Sequence, residues 1–293
     1  MVLSTSAGGA TSPAFAPLSF EFFPPKTPQG SERLRDVWTR LASWQPAFFS
    51  VTYGAGGSTQ AGTLETVQSI RAAGLDAAPH LSCVGATRGE ITRILDAYRA
   101  GGIRHIVALR GDLPSGMAAT GELAHASDLV QLIREHSGGH FRVDVACYPE
   151  RHPQARNPRE DLMAFRRKIE AGADAAITQY FYNADAYFRF IDEAAAQAIG
   201  VPIFPGIMPI GNFAQLARFS DACGAEIPRW MRLRMEGYGD DIASIRAFGL
   251  DVVSALCERL IAGGAPGLHF YTLNQSELVT EICRRLSARV TPV

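Results

Sequence analysis

"RAGGIRHIVALRG", residues 99–111, joins three signals from which the fold can be read. An amphipathic segment ends at paired glycines, an apolar run follows, and charge appears where the run stops. Glycine suits that joint because a left-handed residue ends a helix and releases the chain into a strand. The joint recurs in "RAAGLDAAPHLSC" (71–83), "HSGGHFRVDVACYP" (136–149), "EAGADAAITQYF" (170–181), "QAIGVPIFPGI" (197–207) and "IAGGAPGLHFYTL" (261–273). Gly74, Gly102, Gly139, Gly172, Gly200 and Gly264 are therefore expected as helix C-caps.

Helix starts have their own marks. Thr87 and Glu90 have capping-box spacing, followed by Ile91, Ile94, Leu95 and Tyr98 at i, i+3, i+4 and i+7. Asn157 before Pro158 and Asn274 three residues before Glu277 read as two more starts. With the opening strand and "FFSVTY" included, eight strands fall near 18–23, 48–53, 77–83, 105–111, 142–148, 175–181, 202–208 and 267–273. Eight strands alternating with helices predict an α/β fold, a (βα)8 TIM barrel forming a single catalytic domain over 18–293. Residues 1–17 read as a flexible tail, and 212–262 as more than one helix. A doubly wound sheet is the competing architecture.

Composition narrows the function. Of 293 residues, 47% are hydrophobic and 19% charged, which excludes a disordered or fibrous chain. A net charge of -1 and scattered Lys and Arg offer no field for nucleic acid. No apolar run approaches the ~20 residues of a membrane span, and the N-terminal segment lacks the pattern of an export signal. The five cysteines are odd in number, far apart and without CxxC spacing, as expected of reduced thiols in a cytoplasmic protein.

Side chains alternate across a strand, so one face meets the outer helices and the other points into the barrel. Leu18, Phe20 and Phe22 take the outer face of the first strand, leaving Ser19, Glu21 and Phe23 inside. Thr52, His80, Tyr148, Gln179, His269 and Tyr271 take inward positions on later strands. In the fourth, Val107 and Leu109 are assigned outward, with Arg110 and Asp112 converging at its end. The functional groups gather near the strands' carboxyl ends, where barrel enzymes place their sites. A carboxyl group among the aromatic rings of "LSFEFFPPKT" (18–27) should have a raised pKa and keep its proton, which makes Glu21 a candidate general acid. A buried ion pair with an Arg or Lys from another strand is the alternative.

Other motifs exclude more than they assign. In "GAGGST" (54–59), Thr59 stands where a dinucleotide fingerprint needs its third glycine. No HExxH or cluster of His, Cys and carboxylates suggests a metal, and no GxSxG supplies a serine nucleophile. The loop "LPSGMAATGELAH" (113–125) suits a segment closing over a ligand. Arg166, Arg167 and Lys168, read as early in a helix, favour a phosphate or pyrophosphate near the barrel mouth.

"SFEFFPPKT" (19–27), "VTYGAG" (51–56), "AAPHLSC" (77–83), "GIRHIVALRGDLP" (102–114), "YPERHPQA" (148–155), "DAAITQYFY" (174–182) and "HFYTLN" (269–274) together strongly resemble the methylenetetrahydrofolate reductases. The resemblance runs in order over about residues 18–286. It implies a (βα)8 barrel holding FAD, which takes hydride from NADH or NADPH and passes it to 5,10-methylenetetrahydrofolate in ping-pong fashion, giving 5-methyltetrahydrofolate. Glu21 matches the acid that assists ring opening, and Asp112 the carboxylate beside flavin and pterin. Thr52, His80, Arg110, Gly111, Tyr148, His152, Ala155, Asp161, Arg167 and Lys168 match flavin contacts, and Ala126 matches one after the fourth strand.

Gln179, Gln215 and Phe219 match positions touching folate or nicotinamide, and Tyr271 joins them from its inward place. Two positions depart from the pattern. His125 stands at a flavin position where close bacterial relatives often have tyrosine, and Gln275 replaces a common arginine that contacts the folate tail. No regulatory domain is expected after the barrel. A homo-oligomer stays open, since an apolar helix face can serve a partner subunit. A folate barrel transferring one-carbon groups without redox chemistry, a non-catalytic flavin or folate binder, and a flavin barrel oxidising amino acids are the competing functions.

Overall fold

The computed structural model describes residues 16–53, 60–112 and 121–290. The expected tail lies almost wholly outside these residues, as do the "GAGGST" loop and most of the loop after Asp112. Helices follow strands in strict alternation through the first two thirds of the chain. The order is β1 (Leu18–Phe22), α1 (Pro28–Ala42), β2 (Phe48–Val51), α2 (Gln60–Ala72), β3 (Ala77–Ser82), α3 (Arg88–Ala100), β4 (His105–Leu109), α4 (Ala126–Ser137), β5 (Arg142–Cys147), α5 (Pro158–Glu170), β6 (Ala175–Thr178) and α6 (Ala184–Ala196). Then come β7 (Ile203–Phe204), β8 (Gly206–Ile207), α7 (Phe213–Cys223), α8 (Arg229–Tyr238), α9 (Ile242–Ala262), β9 (Leu268–Tyr271) and α10 (Glu277–Val290). The interval 212–262 thus holds three helices.

All pairings are parallel, in the order β7-β6-β5-β4-β3-β2-β1-β9-β8. The expected seventh strand is broken in two. β7 pairs with β6 and β8 with β9, and only Pro205 separates the halves, so this one run closes the barrel. Proline has no amide hydrogen for a ladder, which accounts for the break. Gly206 follows because a Cβ there would lie 2.2 Å from the Thr178 carbonyl oxygen and 2.6 Å from the Tyr271 ring.

The joints hold with two shifts. Gly74, Gly102, Gly172 and Gly264 take positive φ, but Gly138 rather than Gly139 does so after α4, and Ala198 rather than Gly200 after α6. The capping box of Thr87 and Glu90 forms, and Asn157 caps α5 by accepting from the Glu160 amide. Asn274 does not cap α10, which starts at Glu277; its side chain bonds Phe23, the residue after β1, as described below.

Phe20, Phe22, Phe49, Val51, Leu81, Val143, Val145 and Phe270 pack between sheet and helices in the main core. Each such side chain, once fully buried, contributes about 1.5–3 kcal/mol. A second cluster of Phe48, Ala78, Val107 and Ile177, flanked by Leu109 and Phe204, fills the barrel interior. The outward assignment of Val107 and Leu109 is therefore corrected: Ile106 and Ala108 face the helices. Counting back from Arg110 and Asp112 assumed an unbroken alternation, whereas Gly111 has φ +86° and reverses the count at the strand's end.

Candidate active site

Glu21 points into the barrel with its side chain 12% exposed. Two imidazoles flank it: His80 Nε2 from β3 and His269 Nε2 from β9 each lie 3.3 Å from Glu21 Oε2. Only the approach of His269 has hydrogen-bond geometry; His80 Nε2 has no hydrogen-bond partner. His269 Nδ1 is 2.7 Å from Ser19 Oγ, so Ser19, His269 and Glu21 form a chain of polar contacts across adjacent strands. The backbone is fixed from the same side. Thr272 Oγ1 donates to the Glu21 carbonyl at 2.6 Å, while the Asn274 carboxamide accepts from the Phe23 amide at 2.8 Å and donates to the Phe23 carbonyl at 3.0 Å.

Burial alone pushes the Glu21 carboxyl up, but the charge of His80 and the hydrogen bond from His269 outweigh it and hold the pKa at about 2. The expected raised pKa is thus corrected. Phe20 and Phe22 sit on the opposite face of β1, against the helices, and Phe23 is 43% exposed. The neighbours on Glu21's own face are imidazoles, which favour the carboxylate. The alternative of an Arg or Lys partner is corrected as well, since histidines take that place.

Three cavities meet at the carboxyl end of the strands. The central one, about 510 Å³, is lined by Glu21, Thr52, His80, Asp112, Tyr148, His152, Gln179, Phe219 and Tyr271 among others. A second, about 580 Å³, runs along α5 and is lined by Arg110, His125, Ala126, Tyr148, His152, Ala155, Asp161, Arg167 and Lys168 together with Gln154, Arg156, Arg159 and Glu160. A third, about 220 Å³, includes Gln215, Phe219, Tyr271 and Gln275. Tyr148, His152 and Gln154 border the first two, and Met208, Phe219 and Tyr271 border the first and third, so the cleft is continuous. Every site residue read from the sequence lines this cleft except Gly111.

Gly111 acts through its backbone. A Cβ there would lie 1.9 Å from Ser82 Oγ and 2.9 Å from Val84 Cγ1, so β4 ends pressed against the end of β3. The turn also parts two residues expected to converge: Arg110 enters the α5 cavity, where it donates to Gln154 Oε1 at 2.6 Å, and Asp112 enters the central one. Arg166 to Lys168 likewise lie in the last turns of α5 rather than early in it. Lys168 donates to the Ala146 carbonyl, and burial lowers its pKa. Asp161 accepts from the His152 amide at 2.7 Å, and the His152 ring meets Tyr148 edge-on at 4.6 Å. Burial raises the Tyr148 hydroxyl, which stays protonated.

The lining suits a flavin dinucleotide. Arg110, Arg156, Arg159, Arg167 and Lys168 outnumber Glu160 and Asp161 along the α5 cavity, a donor set for a diphosphate. The adjoining central cavity has the apolar walls a flat ring system needs, including Leu109, Ala146 and Ile177.

The sequence assigned Ser19 and His269 inward places without a role, and Gln154, Arg156 and Arg159 were not singled out. The signal for His269 and Ser19 was their alternation with Phe270 and Phe20. The arginines follow Tyr148 in the segment that enters α5.

An α/β barrel with a carboxylate and two imidazoles at the strand ends, opening onto a cationic groove, defines the class as a barrel enzyme with room for a dinucleotide. The methylenetetrahydrofolate reductase family model matches residues 12–287. The chain is 42% identical over 273 residues to the 5,10-methylenetetrahydrofolate reductase of Salmonella typhimurium, covering 93% of this chain and 91% of that one, and equally to its counterpart in Escherichia coli. The chain belongs to the methylenetetrahydrofolate reductase family. Among solved structures, an uncharacterized protein from Clostridium thermocellum that binds two copies of 5-methyl-5,6,7,8-tetrahydrofolic acid shares the fold at TM-score 0.67 and 16% identity, covering 94% of this chain and 95% of that one.

Proposed function

We propose that the protein reduces 5,10-methylenetetrahydrofolate to 5-methyltetrahydrofolate, with NADH or NADPH as donor and FAD as the carrier between them. The observation that carries this reading is the continuity of the cationic α5 cavity with the central cavity holding Glu21 and Asp112. Arg110, Arg167 and Lys168 would hold the diphosphate, Tyr148 and His152 the segment joining it to the ring system, and Gly111 lets the backbone pass close. Bound there, the flavin would supply two-electron transfer in a ping-pong cycle.

The folate carbon lies between two nitrogens and accepts hydride only after one C–N bond opens. Protonation of the leaving nitrogen makes that possible, and Glu21 would deliver it. Since Glu21 is a carboxylate between imidazoles, the deliverable proton belongs to the Glu21–His269–His80 group as a unit. The proton would pass to the leaving nitrogen through the carboxylate, and Ser19 would keep the His269 ring aimed during the exchange. Ring opening leaves an iminium cation. Asp112 would stabilise that charge because it is already oriented in a cleft that substrate closes to water. Gln179, Gln215, Phe219 and Tyr271 would border the folate and nicotinamide, which alternate in one place. The free thiols Cys83, Cys147, Cys223, Cys257 and Cys283 fit the reducing cytoplasm, where we place the enzyme.

The test is a spectrum of the purified protein followed by two anaerobic additions. A yellow protein that bleaches with NADH or NADPH and regains colour with methylenetetrahydrofolate is expected. A colourless protein, or one that bleaches and stays bleached, counts against the reading.

A further inference from the structure

The small third cavity joins the central one past Met208, Phe219 and Tyr271, and its lining holds one charged residue, Arg246 on α9. Arg246 has no ion pair, hydrogen bond or ring contact with another described residue, and neither do the carboxamides of Gln215 and Gln275, which line the same walls. Among the described residues, no carboxylate lines the cavity. One cation and three carboxamides, Asn212, Gln215 and Gln275, the first of which caps α7 through its Oδ1, stand in a largely apolar passage leading from the proposed reaction site.

We propose that Arg246 recognises the glutamate carboxylates at the tail of the folate, with Gln215 and Gln275 donating beside it. The inference rests on the proposed function in taking methylenetetrahydrofolate as substrate. A tail of that kind has an aromatic ring followed by two carboxylates. It therefore needs an apolar passage and then a cation, the order in which Phe219, Tyr271 and Arg246 line the cleft. Gln275 is neutral, which leaves the charge of this cavity to a residue on a different helix. Arg246 is exposed, so the pairing is partly screened and acts on affinity rather than on chemistry.

The experiment compares wild type, Arg246→Ala and Arg246→Lys as flavin-loaded enzymes on methylenetetrahydrofolate and on its glutamate bis-amide, in which both tail carboxylates are carboxamides. Arg246→Ala is expected to raise KM for the natural substrate roughly three- to tenfold, the size of one screened charge-assisted contact. Turnover at saturation and KM for the nicotinamide should hold. The bis-amide should show one KM on all three proteins, Arg246→Lys should recover part of the loss, and added salt should weaken substrate binding in wild type more than in Arg246→Ala.

An equal change on both substrates, a change in nicotinamide KM instead, or no change at all overturns the proposal. The dissociation constant of 5-methyltetrahydrofolate, read from flavin absorbance or protein fluorescence, separates the two ideas. Wild type that binds this folate without turnover sinks the proposed reaction while the Arg246→Ala comparison still decides this inference. Wild type that binds no folate overturns both.

Discussion

Glu21 and His269 are joined across the seam where the first strand of the barrel meets the last, Nε2 to Oε2 at 3.3 Å. They are 248 residues apart in the chain, so the acid exists only once the barrel has closed. Glu21→Gln keeps the shape and removes the carboxylate through which the proton would pass. Flavin content and oxidation of the nicotinamide should stay within about twofold, while folate reduction in single turnover falls by ~10²–10⁴, the usual contribution of a general acid. Equal losses in the two half-reactions would remove Glu21 from the role.

The same pair makes a statement about stability. The Glu21 pKa falls from 4.5 to about 2 on folding, so the folded state binds this proton less readily than the unfolded one. The stabilisation is complete above about 4.5 and is lost as pH drops through about 2. A shift of that size corresponds to about 3 kcal/mol. Denaturant titrations of wild type and Glu21→Gln should therefore differ by a constant amount from pH 5 to 6 and converge as pH falls toward 2. A difference that stays flat down to pH 2.5 would mean the carboxylate is not held by the imidazoles.

Asp112 stands in the central cavity while its near neighbour Arg110 serves the α5 cavity, so its charge faces the substrate side. Asp112→Asn should slow reoxidation of the reduced flavin by folate at least ~10-fold, since the opened ring is cationic and the carboxylate is preoriented. Reduction by the nicotinamide, which opens no C–N bond and passes through no iminium, should change less. Unchanged reoxidation in a stopped-flow experiment would count decisively against the assignment.

The eight strand runs could be read from the chain because alternating apolar residues and glycine joints are local properties. What failed depended on backbone turns or distant partners. Gly111 reverses the alternation just past the end of β4, and no alternation rule contains a positive φ at one glycine. Pro205 splits the closing strand, a consequence visible only when Ile203 and Ile207 are seen to pair with different neighbours. Glu21 looked surrounded by phenylalanines because three lie beside it in sequence. Two of them face away, and the groups that set its charge come from β3 and β9. The cleft residues were legible as a set through the family resemblance, whereas Arg246 carried no motif and became visible through the cavity it lines.

Gly111 tests how closely the strand ends are packed. Gly111→Ala would place a methyl 1.9 Å from Ser82 Oγ at φ +86°, where an L-residue is strained. The expected cost is about 1–3 kcal/mol, together with weaker flavin retention because Arg110 and Asp112 leave this turn in different directions. Ser82→Ala combined with Gly111→Ala removes the clash with Oγ but neither the 2.9 Å approach to Val84 Cγ1 nor the strain, and should recover part of the stability. A single variant with wild-type melting temperature and flavin content would show that the backbone here has room to move.

Asn274 separates backbone conformation from side-chain bonding at the rim of the same site. Its φ of 57° is one that asparagine and glycine tolerate and alanine resists, and its carboxamide makes both bonds to Phe23, two residues beyond Glu21. Asn274→Gly keeps the conformation and loses the bonds, which should cost about 1 kcal/mol because the contacts are exposed. Asn274→Ala loses both and should cost about 2 kcal/mol. If β1 is held in register by this clamp, both variants should also slow folate reduction more than nicotinamide oxidation, since Glu21 moves with Phe23. Melting curves and the two half-reactions, measured on the same preparations, decide it. Stability losses in the order Ala above Gly with the half-reactions equally affected would leave Asn274 a stabiliser of the loop with no part in placing the acid.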